Sequence, residues 1–249
     1  MTTTNYSIGI TTFKRRESYL YSLIKSIRSQ TDADILITIN QDYKEPVDNS
    51  YMERVYRFVS DYDNIFIFAF PTFTSLSKMW NTIIVNSSTQ INLILNDDVI
   101  ICDGFFQSIQ NIDVADCIKI NCTFGMFFLN KKCAIELNFF DERLLAYGEE
   151  DGDFTWRHES MYKREIPIMW NNLIQNVQEG YRTENRLNKI DLGHRLVPRF
   201  NRELVFKMYQ PSISGVSGMF GFQAIRSNFL TDAKQYPYES FKDDNFQNL

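Results

Sequence analysis

The sequence predicts an α/β fold in which a mostly parallel central sheet is flanked by helices. Short β-branched runs alternate with stretches whose apolar residues recur at helical spacing, and this alternation implies βαβ units. The 249 residues are 44% hydrophobic and 15% aromatic, enough for a sizeable core. No internal repeat, low-complexity linker or Gly/Ser-rich boundary divides the chain, so a single domain over residues 1–249 is the simplest organisation.

The elements follow in order. Ser7 to Thr11 reads as a strand, and Tyr19, Leu20, Leu23, Ile24 and Ile27 fall on one helical face after it. Ile35 to Ile39 is a second strand, followed by a helix face of Met52, Val55, Tyr56 and Val59. Ile65 to Phe70 is a third, followed by Leu76, Met79, Trp80, Ile83 and Ile84 at helical spacing. Ile91 to Leu95 is the fourth strand. Beyond Gly104 the alternation loosens: Phe105, Phe106 and Ile109 suggest a short helix, while Ile118 to Asn121, Met126 to Leu129 and Ile166 to Trp170 suggest strands. Parallel sheets built this way bind ligands beyond the carboxyl ends of their strands, which puts Asn96, Asp97 and Asp98 on that rim.

Several function classes fall away. A net charge of −5 gives no broad footprint for nucleic acid. Cys102, Cys117, Cys122 and Cys133 form no CxxC pair or finger spacing, so they are expected as reduced thiols rather than a zinc site. The N-terminus lacks signal-peptide character, and the apolar runs are far shorter than the roughly 20 residues that span a bilayer. A cytoplasmic protein is expected, with peripheral contact at the cytoplasmic face of a membrane left open. No phosphate loop, GxGxxG fingerprint or GxSxG elbow occurs, and His158 and His194 alone give no support for a Ser/His/Asp triad.

Carboxylates remain. LILNDDVII (93–101) interrupts an apolar run with Asn96, Asp97 and Asp98, which suits either a tight turn or a cation held at a strand end. GEEDGDFTWRHE carries Glu149, Glu150, Asp151 and Asp153 ahead of a helical stretch. Acids there are favoured by the helix dipole, yet four within five positions raise one another's pKa, which can ready one as a base.

The ordered set SIGITTFKRRESYLYSLIKSIRSQ, ILITINQD, FTSLSKMWNTII, LILNDDVIICDGFF and FFDERLLAYGEEDGDFTWR resembles the GT-A glycosyltransferases, particularly their family-2-like group, over about residues 6–160. The resemblance implies a metal-dependent, inverting enzyme that moves a sugar from a nucleotide-diphosphate sugar to a hydroxyl of a glycan, glycolipid or glycoprotein. It implies a nucleotide-sugar half at about 1–100, an acceptor half at about 101–200, and a C-terminal extension or lid at about 200–249.

Position by position, the resemblance sets Thr11 and Phe13 beside the base and Asn40 or Asp42 at the base or ribose. An acid is usual in the family where this chain has Asn40. Lys78 and Asn81 match the family's helix that approaches the donor. Asn96-Asp97-Asp98 matches the DxD-type motif, with Asp98 first and Asp97 second as ligand of Mn²⁺ or Mg²⁺, and Asn96 and Asp97 near the donor. Asp151 matches the general base, and Glu150 a partner that binds acceptor hydroxyls. Asp153 and Arg157 are equally explained as a helix-orienting ion pair. His194 matches a further metal ligand, whereas His158 reads as structural. Arg182, Arg186, Lys189, Arg195, Arg199 and Arg202 suit either a lid over the diphosphate or a solvated basic face.

Asn40 and Asn96 also suit a second hypothesis, a catalytically silent GT-A domain that binds nucleotide sugar or glycan or scaffolds a synthase. A nucleotidyltransferase would carry an early Gly-rich basic loop, and TTFKRR lacks the glycines.

Overall fold

The computed structural model describes residues 5–13, 17–41, 49–144, 148–177 and 201. In chain order the elements are β1 (Tyr6–Phe13), α1 (Glu17–Arg28), β2 (Ile35–Asn40), α2 (Asn49–Val59), β3 (Ile65–Ala69), α3 (Leu76–Asn86), β4 (Ile91–Asn96) and β5 (Val99–Ile101). There follow α4 (Phe105–Ser108), β6 (Cys117–Ile120), β7 (Thr123–Asn130), α5 (Lys131–Glu136), α6 (Glu150–Tyr162), β8 (Ile168–Met169) and β9 (Ile174–Asn176). The chain packs as two compact units: residues 1–74, 79–136 and 166–189 form the first, and residues 75–78, 137–165 and 190–249 the second.

The first unit holds a seven-stranded sheet of order β3-β2-β1-β4-β7-β6-β8. Strands β3, β2, β1 and β4 run parallel to one another, β7 is antiparallel to both β4 and β6, and β8 is parallel to β6. The mixed α/β architecture with a mostly parallel centre agrees with the sequence expectation. Strands β1 and β2 are buried along almost their whole length because both their faces are covered. On one face, Leu20, Leu23, Ile24 and Ile27 of α1 and Tyr51, Val55 and Val59 of α2 pack with Ile8, Ile10, Ile35, Ile37, Leu93 and Leu95. Each fully buried aliphatic side chain contributes about 1.5–3 kcal/mol relative to exposure. On the other face α3 lies close to β1 at Gly9, where a Cβ would come within 2.4 Å of Ile83 Cγ2.

Two sequence expectations are corrected. Tyr56 is 50% exposed, and Tyr51 takes the inward place on α2 with Val55 and Val59. The 51/55/59 row advances only about 40° per step, so it stays on one face, and Tyr56 is turned to the flank. The last strand of the sheet is only Ile168–Met169, because Pro167 ahead of it has no N–H to give the ladder and pairs only through its carbonyl, which accepts Lys119 N–H at 2.9 Å.

Strands β6 and β7 meet in a two-residue turn, Asn121 (φ 50°) and Cys122 (φ 63°), the mirror-image turn that matches strand twist. The Asn121 amide then donates to the carbonyls of Asn171 (2.8 Å) and Ile174 (2.9 Å), tying down the approach to β9. Strands β5 and β9 pair antiparallel as a separate two-stranded sheet.

In the second unit α6 is seated by Phe154, whose ring stacks on Phe140 with centroids 4.4 Å apart. No described helix is long and apolar enough to cross a membrane.

Candidate functional site

In the first unit the predicted donor residues gather at the carboxyl ends of adjacent strands. Register pairs Phe13 with Asn40 and Thr11 with Asn96, so β1, β2 and β4 end side by side. Thr11 Oγ1 donates to Asn96 Oδ1 at 3.2 Å, and Thr12 Oγ1 donates to Asp97 Oδ2 at 2.7 Å. Phe13 meets Phe73 edge-on with centroids 6.0 Å apart, and its carbonyl accepts the Tyr51 hydroxyl at 3.3 Å. The chain then turns through Asp97 and Asp98 into β5, and the Asp98 carbonyl accepts Val177 N–H at 2.7 Å, just beyond β9. The turn and the strand-end display of acids thus coincide. Asp97 and Asp98 are 2% and 7% exposed.

Gly125 of β7 belongs to the same rim. A Cβ there would lie 2.4 Å from Asn176 Nδ2 and 3.2 Å from Asn96 Nδ2, so the glycine lets two amides approach over the strand. Asn40 is buried and its amide is engaged by the backbone: Nδ2 donates to Thr74 O, and Oδ1 accepts Thr74 N–H, each at 2.8 Å. Thr74 leads into α3, so this asparagine fixes the chain entering that helix. Asn81 is buried within α3. Among the described residues no three His, Cys, Asp or Glu side chains converge as a metal site.

In the second unit Lys78, half-buried in the first turn of α3, gives its backbone N–H to the Ser75 hydroxyl at 3.2 Å, a helix N-cap. The start of α6 is built on left-handed backbone, with Gly148 at φ 102° and Glu149 at φ 76°. Asn201 Nδ2 donates to Gly148 O at 2.8 Å. Asp153 is paired with Arg157 at 2.6 Å, both buried, and Arg157 Nη1 also donates to the carbonyls of Leu137 and Phe139, the latter at 2.7 Å. Asp141 and Arg143 form a second buried pair at 2.6 Å. Asp153 and Arg157 therefore orient the helix, as an i,i+4 ion pair does.

At the helix start Glu150 and Asp151 differ in character. Glu150 is buried, and burial first, then the charge of Asp151, pushes its carboxyl up to about 8. Glu150 therefore holds a proton at neutral pH and can donate a hydrogen bond. Asp151 is half-buried, with Oδ1 accepting Gly152 N–H at 2.8 Å, which fixes the direction of its second oxygen. His158 is fully buried with its ring 4.7 Å from that of Tyr162, in keeping with a structural role.

Asp42, His194 and the basic series Arg182, Arg186, Lys189, Arg195, Arg199 and Arg202 lie outside the described residues. Thr12 and Thr74 are contacts that periodicity passes over. The signal available for Thr12 is its place beside Thr11 at a strand end, since consecutive strand residues serve opposite faces.

No family model and no curated protein matches the sequence. Solved structures match its fold. That of GalNAc-T7 with UDP, GalNAc and Mn²⁺ superposes with a TM-score of 0.61 at 11% identity, covering 96% of this chain and 54% of that one. The mannosyltransferase PcManGT from Pyrobaculum calidifontis, in complex with GDP-Man and Mn²⁺, gives 0.54 at 9% identity, covering 73% and 59%. Glucosyl-3-phosphoglycerate synthase from Mycobacterium tuberculosis, with Mn²⁺, UDP and phosphoglyceric acid, gives 0.54 at 10% identity, covering 87% of this chain and 82% of that one. The chain spans little more than half the length of the first two. At such identities the likeness speaks to architecture, and the architecture is that of the GT-A glycosyltransferases.

Proposed function

We propose that this chain is a family-2-like glycosyltransferase that moves a sugar from a nucleotide-diphosphate sugar to a hydroxyl acceptor on a glycan, glycolipid or glycoprotein, with inversion. The observation that carries the reading is the Asn96-Asp97-Asp98 turn, held by Thr11 and Thr12 at the carboxyl end of β4 in a GT-A sheet.

The donor set fits Mn²⁺ or Mg²⁺ in one particular way. Hard cations of this kind use one or two carboxylates and take their remaining ligands from phosphate and water. Acidic oxygens at the turn suit such a cation held together with the diphosphate. A bound cation would supply charge neutralisation for the departing diphosphate. Asp98 would hold it from this turn, and the resemblance adds His194. Thr11 and Phe13 line the base.

Asp151 takes the acceptor proton while the acceptor oxygen bonds the anomeric carbon and the bond from that carbon to the phosphate oxygen breaks. Glu150, protonated beforehand, donates a hydrogen bond to a second acceptor hydroxyl.

A panel of UDP, GDP and dTDP sugars assayed for hydrolysis and transfer, with and without EDTA, tests the reading. Turnover is expected with one nucleotide. EDTA or Asp98→Ala should lower it at least about 100-fold, and Asp151→Asn should lower kcat by about 10²–10⁴. Absence of both binding and turnover across the panel would remove the basis of the reading.

One observation favours a silent nucleotide-sugar-binding domain instead: the Asn40 amide is already engaged by Thr74. In that case calorimetry would find nucleotide binding unchanged in Asp98→Ala.

A further inference from the structure

Successive residues of a strand point to opposite faces of the sheet, so Thr11 and Thr12 cannot serve the same neighbour. Thr11 bonds Asn96, its register partner on β4, and Thr12 bonds Asp97, one residue further on and on the opposite face. Thr12 shares its face with Ile8 and Ile10, which belong to the main core, so the Thr12–Asp97 bond closes the rim end of that core. Both residues are 2% exposed, and a hydroxyl given to a carboxylate in such a place is shorter and stronger than a neutral pair. Tyr51 of α2 lies over it, within hydrogen-bonding reach of the Thr12 side chain. The triplet is thus gripped at Asn96 Oδ1, at Asp97 Oδ2 and, through Val177 N–H, at the Asp98 carbonyl.

We propose that Thr12 is a positioning residue: its hydroxyl clamps Asp97 as a buttress, so that Asp98 is the member of the turn presented to the cation. The inference rests on the nucleotide-sugar reading above. It divides the two adjacent aspartates by role, one holding the turn and the other holding the ligand.

The test is calorimetry of UDP, GDP and dTDP binding over a Mn²⁺ titration, read as the Mn²⁺ concentration that gives half-maximal nucleotide affinity. Thr12→Val keeps the shape and removes the hydroxyl, and should raise that concentration about tenfold or more. Thr12→Ser should stay within about threefold of wild type, since the donor is retained. Asp97→Asn still accepts from Thr12 and should shift the Mn²⁺ requirement less than Asp98→Asn does. An unchanged Mn²⁺ requirement in Thr12→Val, no rescue by Thr12→Ser, or equal losses in Asp97→Asn and Asp98→Asn would each overturn the inference. If Thr12→Val does not fold, the two asparagine variants decide alone. A wild type that binds none of the three nucleotides overturns the transferase reading and this inference together, whereas a wild type that binds while Thr12→Val matches it overturns the inference only.

Discussion

The strand-end rim of the first unit and the acidic helix start of the second both crowd carboxylates, and they control them by opposite means. At the rim, the bond to Asp97 comes from a threonine hydroxyl 85 positions away in sequence, brought there by sheet register. At the helix start, Asp141 and Asp153 are paired with arginines two and four positions away. A hydroxyl orients a carboxylate without cancelling its charge, which suits the cation site proposed there. A buried guanidinium cancels the charge outright, and so sets structural acids apart from Glu150 and Asp151.

The sharpest way to break this comparison is Arg157→Ala. It strands Asp153 in the interior and strips hydrogen bonds from the Leu137 and Phe139 carbonyls, at an expected cost of about 3–5 kcal/mol in urea denaturation. A cost near that of a surface pair would mean the arginine is not neutralising a buried acid. Next comes Gly9→Ala, which forces a Cβ onto Ile83 and should cost about 1–3 kcal/mol by the same measurement. A rim made by register should suffer in this variant, with nucleotide binding weakened along with stability.

The smallest effect sharpens the contrast. The Glu150 carboxyl, raised to about 8, binds its proton more tightly folded than unfolded. The stability this lends is fully present below the unfolded carboxyl range near pH 4, and is lost as pH rises through about 8. Glu150→Gln should therefore shrink the fall in Tm between pH 7 and pH 8 by about 2–4 °C. An identical fall in both proteins would show that burial does not perturb this acid.

The contrast also explains what could be read from the sequence. Strands β1 to β4 and their helices were visible because their burial repeats at fixed spacing, and LILNDDVII stood out as a break in an apolar run. The spacing read from the sequence takes Tyr56 rather than Tyr51, since both are aromatic and near the stripe, and the seating of α2 on β1 and β2 separates them. Thr12 was hidden because its partner is distant and register is a property of the assembled sheet. The i,i+4 spacing of Asp153 and Arg157 was legible as a helix pair, but their burial and the Leu137 and Phe139 carbonyls depend on the loop before α6, where Asn138 and Phe139 take left-handed backbone.

The bond from Val177 N–H to the Asp98 carbonyl joins two backbones and involves neither side chain. Position 177 is therefore free to drift among nearly all amino acids while remaining mechanically coupled to the acidic turn. Proline is the exception, having no N–H to offer. A saturation scan would score this position as permissive in nineteen columns and intolerant in one, and an inspection of residue types alone would never mark it as part of the site.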